Sequence, residues 1–151
     1  NKVMRINDFF KLVIAIVVSH SAGAIGSFFT ISAIDSWYVT LARPALSPPH
    51  WIFGPVWLTL YTLMGIAVFL IWKQRWEKRL VRTALSIFGV HLIFNTAWSI
   101  IFFGLQNPFL ALIEILLLLI FIIITAVLFF LVIMEKIPKY QIIVLKEKAL
   151  F

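Results

Sequence analysis

The 151-residue chain contains no cysteine, which excludes disulfides, thiolate metal sites and cysteine nucleophiles. Charge is also scarce: only 13% of the residues are Asp, Glu, Lys or Arg, against about 25% in a typical soluble protein. So few charges cannot give a compact protein a polar coat, and lipid must cover much of its surface. Acids are the scarcest, six against thirteen Lys and Arg. The sequence has no paired carboxylates and no nucleophile–base pair, so hydrolysis and group transfer find no support. His20, His50 and His91 are scattered without HExxH or other ligand spacing, which argues against a dedicated metal site.

What the chain has instead is 63% hydrophobic residues and a mean hydropathy of +1.07. The net charge of +7 would suggest nucleic acid in a soluble protein. Here the cations cluster between long apolar runs, so they report membrane topology and not a nucleic-acid face. Four runs reach the roughly 20 residues that a spanning helix needs: about 12–34, 51–72, 83–105 and 108–134. They lack the alternation of barrel strands, so the expected fold class is an all-α, multi-pass transmembrane bundle. The bundle would occupy residues 1–134, followed by a short basic tail over 135–151.

The first run has a rival reading as a cleavable secretion signal, because Lys2, Arg5 and Lys11 precede Leu12–Val18 and the small residues 21–24. Hydrophobicity resumes over Ile25–Ile34, as a spanning helix requires. Lys73, Arg75, Lys78, Arg79 and Arg82 place the loop between runs two and three in the cytoplasm, with both termini on that side. On the opposite side, residues 37–50 read WYVTLARPALSPPH, whose prolines break any helix past Arg43. This segment is a stiff loop or lid, and its Trp and Tyr also suit an interfacial belt.

Helical spacing aligns Phe53, Trp57, Tyr61, Met64, Val68 and Trp72 on one face of the second run. Such aromatic stripes serve helix packing or line a pocket, packing being the commoner use. His91, Asn95, Trp98 and Phe102 share a face of the third run, and the Asn95 amide requires a partner or a cavity at membrane depth. Ser19, Ala22, Gly23, Gly26 and Thr30 form a small-residue stripe that admits another helix closely. Glu114, about two turns into the fourth run, is expected near the interface, protonated or hydrogen-bonded.

These residues fall into longer blocks. Trp37-Tyr38-x-x-Leu41-x-Arg43-Pro44-x-x-x-Pro48-Pro49-x-x-x-Phe53-x-x-Val56-Trp57-x-x-Leu60-Tyr61-x-x-Met64-Gly65-x-Ala67 resembles the TspO/MBR family of tryptophan-rich sensory and translocator proteins. Asn95-x-x-Trp98-Ser99-x-x-Phe102-Phe103-Gly104-Leu105 resembles the family's third helix, and Glu114-Ile115 with the following leucines its fourth. Arg43 stands where the family usually has lysine, and His91 where it more often has an amide.

The resemblance implies five transmembrane helices, a dimer, and a pocket capped by the loop between helices one and two. It implies porphyrins, haem-like tetrapyrroles, sterols or benzodiazepine-type drugs as ligands, with no obligatory cofactor and no nucleic-acid partner. The membrane would be bacterial or the mitochondrial outer membrane. Carried over by motif, Tyr38, Pro48 and Pro49 belong to the lid side, Trp57 to the second-helix wall, and Asn95 and Trp98 to the third-helix wall; Phe53, Tyr61 and His91, on the same helix faces, complete the expected ligand-binding set. His91 is also weighed as a ligand for a metalloporphyrin iron.

The tail departs from the pattern, since Ile142–Leu145 is too short to cross a bilayer and is bracketed by lysines. The family's fifth helix is therefore expected to be missing or altered. Lys136, Tyr140 and Val144 match only a loose sterol pattern. The leading expectation is a receptor for a tetrapyrrole or similar hydrophobic ligand, with a role in tetrapyrrole or stress regulation or transport. The alternatives are light-dependent oxidative degradation of a porphyrin, with Trp57 as redox-active residue, and a truncated structural remnant. A homodimer is expected, with the small-residue stripe as its interface.

Overall fold

Each helix boundary has a local cause. In the computed structural model, which describes residues 6–42, 46–47, 49–74 and 76–135, helix α1 spans Ile6–Ile34. Asp8 sits in its first turn, where the helix dipole favours an anion, and the helix therefore begins before the apolar run does. Helix α2 (His50–Trp72) starts after Pro49, whose extended backbone forms the N-cap. Pro55 thus falls in the second turn, where its missing N–H leaves the Trp51 carbonyl without its helical donor.

Helix α3 (Arg79–Ser99) takes Arg79 and Arg82 into its first turn and runs on as a π-helical turn over Ile100–Gly104. A tight connection follows, with Gln106 in the left-handed region at φ 52°. Asn107 then caps helix α4 (Pro108–Met134), its side chain accepting from the Leu110 N–H at 2.9 Å, with Pro108 at the first helical position. Residues 35–37 turn the chain out of α1 into a single 3-10 turn, Tyr38–Thr40.

Among the described residues these four helices are long and apolar enough to cross a membrane, and the chain is a multi-pass membrane protein with an all-α bundle. Their outward faces are rows of exposed Leu, Ile, Val and Phe. Lipid is as apolar as these side chains, so close packing and buried hydrogen bonds hold the helices together, with little help from expelled water. Helix α3 packs extensively on α4, and α1 on both α2 and α3.

The bundle is tight at one end and open at the other. At the closed end Ile71, Val81, Ala84 and Val132 join α2, α3 and α4 in a core at most 2% exposed. Lys78 pairs with Glu135 at 2.6 Å and Lys73 with Asp8 at 3.3 Å, so the start of α1 and the end of α4 share this cation-rich end. Higher up, Gly65 lies where an added Cβ would be 2.7 Å from the Ile16 Cα, which lets α1 and α2 touch backbone to backbone. Above Tyr61 the contact ends: from Trp51 to Leu60 only Ile52 is even half-buried.

The small-residue stripe of α1 is consumed inside the chain. Ser19, Ala22 and Gly26 are buried, Gly23 lies beneath the Tyr61 ring, and Gly26 faces Ser99. The Ala22 carbonyl accepts from the Thr96 hydroxyl at 3.2 Å. This corrects the expectation that the stripe is a dimer interface: its short side chains admit α2 and α3 of the same chain. Glu114, two turns into α4, is buried at 6% exposure, and neither of its oxygens has a hydrogen-bond partner among the described residues, against the expectation of a hydrogen-bonded carboxyl. The tail at 136–151, with the fifth-helix question and the sterol pattern, lies outside the described residues.

Candidate functional site

Where the first half of α2 stands away from α1, a cavity of about 720 Å³ remains between α1, α2, α3 and two residues of α4. This is within the 300–1,000 Å³ typical of small-molecule sites. Its α2 wall is Phe53, Gly54, Trp57, Leu58 and Tyr61; its α3 wall is Asn95, Trp98 and Ser99, continued by Phe102 and Phe103. Ile115 and Leu118 of α4 close the back. Phe53 and Trp57 remain 41% and 42% exposed, so the α2 wall is reachable from outside the bundle.

Aromatic rings set the shape. Trp57 stacks on Tyr61 with centroids 5.8 Å apart, one turn further along α2. Trp98 stacks on Phe102 at 5.0 Å with planes 8° apart. The π-helical turn widens the helix so that Phe102 and Phe103, adjacent in sequence, both reach the cavity. The start of the following loop docks there, with Trp37 edge-on to Phe102 at 5.3 Å and Tyr38 5.8 Å from Phe103. Tyr38 thereby forms part of the cavity roof.

Polar groups are few, and two pairs of them bridge helices. The Tyr61 hydroxyl donates to Asn95 Oδ1, linking α2 to α3. His20 Nε2 meets Thr62 Oγ1 at 3.0 Å, linking α1 to α2. His20 lines the cavity, and no Asp, Glu, Lys or Arg among the described residues does.

Of the nine residues the sequence pointed to, the structure brings six to this cavity: Tyr38, Phe53, Trp57, Tyr61, Asn95 and Trp98. Pro48 lies outside the described residues, and Pro49 is exposed at the head of α2, off the cavity wall. His91 is corrected: it is buried toward the closed end, edge-on to Phe88 at 5.8 Å, and does not line the cavity. One helical face carried two roles, since Asn95, Trp98 and Phe102 open onto the cavity while His91, a turn below Asn95, packs in the core.

Sequence reasoning missed His20, Ser27 and Thr30 on the α1 wall. A signal existed, because His20 is the one ionisable side chain between Lys11 and Asp35.

The TspO/MBR family profile matches residues 15–137 of this chain. The chain is similar to the tryptophan-rich protein TspO of Archaeoglobus fulgidus, 40% identical over 109 residues that make up 72% of this chain and 69% of that protein. It is 41% identical to the human translocator protein over 96 residues, covering 62% of this chain and 56% of that one. The tryptophan-rich sensory protein of Cereibacter sphaeroides is 32% identical over 84 residues, 56% of this chain and 51% of that protein. The matched region contains every described wall of the cavity.

Proposed function

Because the chain belongs to the TspO/MBR family, we propose that it is a membrane receptor that holds a flat hydrophobic ligand, a porphyrin or related tetrapyrrole, in the cavity between α1, α2 and α3. The observation that carries this reading is the pairing of two stacked aromatic units, Trp57–Tyr61 and Trp98–Phe102, on different walls of one cavity. Ring faces offer a planar macrocycle large apolar contact without demanding hydrogen bonds. The exposed α2 wall gives a lipid-soluble ligand a lateral route, so it need not cross water to enter. Sensing or translocation, the activities in the relatives' names, both begin with such a bound state.

Titration of the purified protein with protoporphyrin IX tests the reading. Tryptophan fluorescence is expected to quench saturably, and Trp57→Ala or Asn95→Ala to weaken the affinity. Quenching that never saturates, or that is identical in both variants, contradicts it.

A further inference from the structure

We propose that His20, held in one tautomer by Thr62, is the hydrogen-bond acceptor of the cavity, and that with Asn95 it receives a carboxyl group of the ligand. The inference rests on the cavity being the ligand site and specifies which end of the ligand lies deepest.

The proton count fixes the tautomer. Thr62 Oγ1 lies 3.0 Å from His20 Nε2 and donates its single proton to the Leu58 carbonyl at 2.8 Å. Both contacts are hydrogen bonds at once only when the hydroxyl accepts from the imidazole and Nε2 carries the hydrogen. In the neutral ring Nδ1 is then a bare acceptor. It has no hydrogen-bond partner among the described residues, and it is not sealed in the core as His91 Nδ1 is.

Asn95 supplies the complement. Its Oδ1 accepts from the Tyr61 hydroxyl, which leaves the Nδ2 hydrogens as donors with no partner among the described residues. Tyr61 touches both groups, its ring centroid 6.1 Å from that of His20 and its hydroxyl on Asn95. An acceptor and a donor thus meet at one tyrosine, level with the midpoint of α1 (Ile6–Ile34) and inside its apolar span. Polar groups at that depth are costly unless they serve a partner or a ligand.

A carboxylic acid matches both groups: its carbonyl accepts from Asn95 Nδ2 while its O–H donates to His20 Nδ1. If the proton crosses to Nδ1, the pair becomes carboxylate and imidazolium with no change in net charge. Among the described residues no Lys or Arg lines the cavity, so a group that enters as an acid and can share its proton suits these walls better than a permanent anion. The same lone pair is ill placed for a macrocycle's metal, since Nδ1 adjoins the ring carbon bearing Cβ, which would strike the macrocycle plane.

The test compares protoporphyrin IX with its dimethyl ester, which keeps the carbonyl acceptors and loses the O–H donors. Wild-type protein is expected to bind the free acid about tenfold more tightly than the ester, the scale of one buried hydrogen bond. His20→Leu should bring the ratio of acid to ester affinity close to one, and His20→Gln, which keeps an acceptor, should restore part of it. Thr62→Val, which frees the ring, should narrow the preference and serves if His20→Leu does not fold. An equal preference in wild type and both His20→Leu and Thr62→Val overturns the inference, as does wild-type protein that binds acid and ester equally. If neither ligand saturates, the cavity reading itself fails and the inference falls with it.

Discussion

Tyr61 and Asn95 share a hydrogen bond at the height where α2 parts from the rest of the bundle. Below it Tyr61 joins Ala15, Ala22, Val68 and Phe88 in a buried cluster; above it the helix is exposed. The bond therefore acts as the pin at the cavity floor. Interhelical hydrogen bonds in membranes average about 0.6 kcal/mol and reach about 1.7. Thermal melts in detergent of Tyr61→Phe, Asn95→Ala and the double variant should show a coupling in that range. Strictly additive losses would mean that the two side chains do not support each other.

Gly23 is the second support of the same ring. A Cβ there would sit 2.7 Å from Tyr61 Cδ2 and closer still to Cε2. Gly23→Ala should therefore displace Tyr61, cost about 1–3 kcal/mol as overpacking does, and weaken protoporphyrin IX binding. The loss of stability should not depend on protein concentration, because the crowded partner belongs to the same chain. A melting point that falls only under conditions favouring dimers would return the small-residue stripe to an intermolecular role.

The bundle and its α4 boundary, 108–134, were legible because apolar length and a proline–asparagine cap are local signals. Helical periodicity also brought Phe53, Trp57 and Tyr61 to one face, as well as Asn95 and Trp98. What it could not give was height. Packing and pocket lining are the same pattern to a sequence, and the structure assigns Met64 and Val68 to the core and Phe53 and Trp57 to the cavity along a single stripe. The π-helical turn escaped notice because it breaks the 3.6-residue spacing on which such reading depends. His20 escaped because its role follows from where the Thr62 proton goes, which only the relative placement of α1 and α2 reveals.

Glu114 and His91 are buried polar side chains off the cavity wall, with Glu114 Oε1 and Oε2 and His91 Nδ1 unpartnered among the described residues. Unpaired polar atoms in a packed interior are a net cost. Glu114→Leu, which removes both unpaired oxygens, should hold or raise the melting temperature, by a few degrees if about 1 kcal/mol is recovered. His91→Leu should leave protoporphyrin IX affinity unchanged where His20→Leu alters the acid preference. A tenfold loss of affinity in His91→Leu would place His91 back in the binding site.

The cavity itself is tested most directly by filling it. Gly54 lies on its α2 wall, and a Cβ built there meets no atom within 4 Å, so Gly54→Leu extends into open space without crowding the fold. Leucine is also the better helix former, by about 1 kcal/mol. Titration of Gly54→Leu with protoporphyrin IX should show saturable quenching lost or weakened at least about tenfold, in a protein that melts no lower than wild type. Wild-type affinity in that folded variant would contradict the assignment of this cavity as the ligand site.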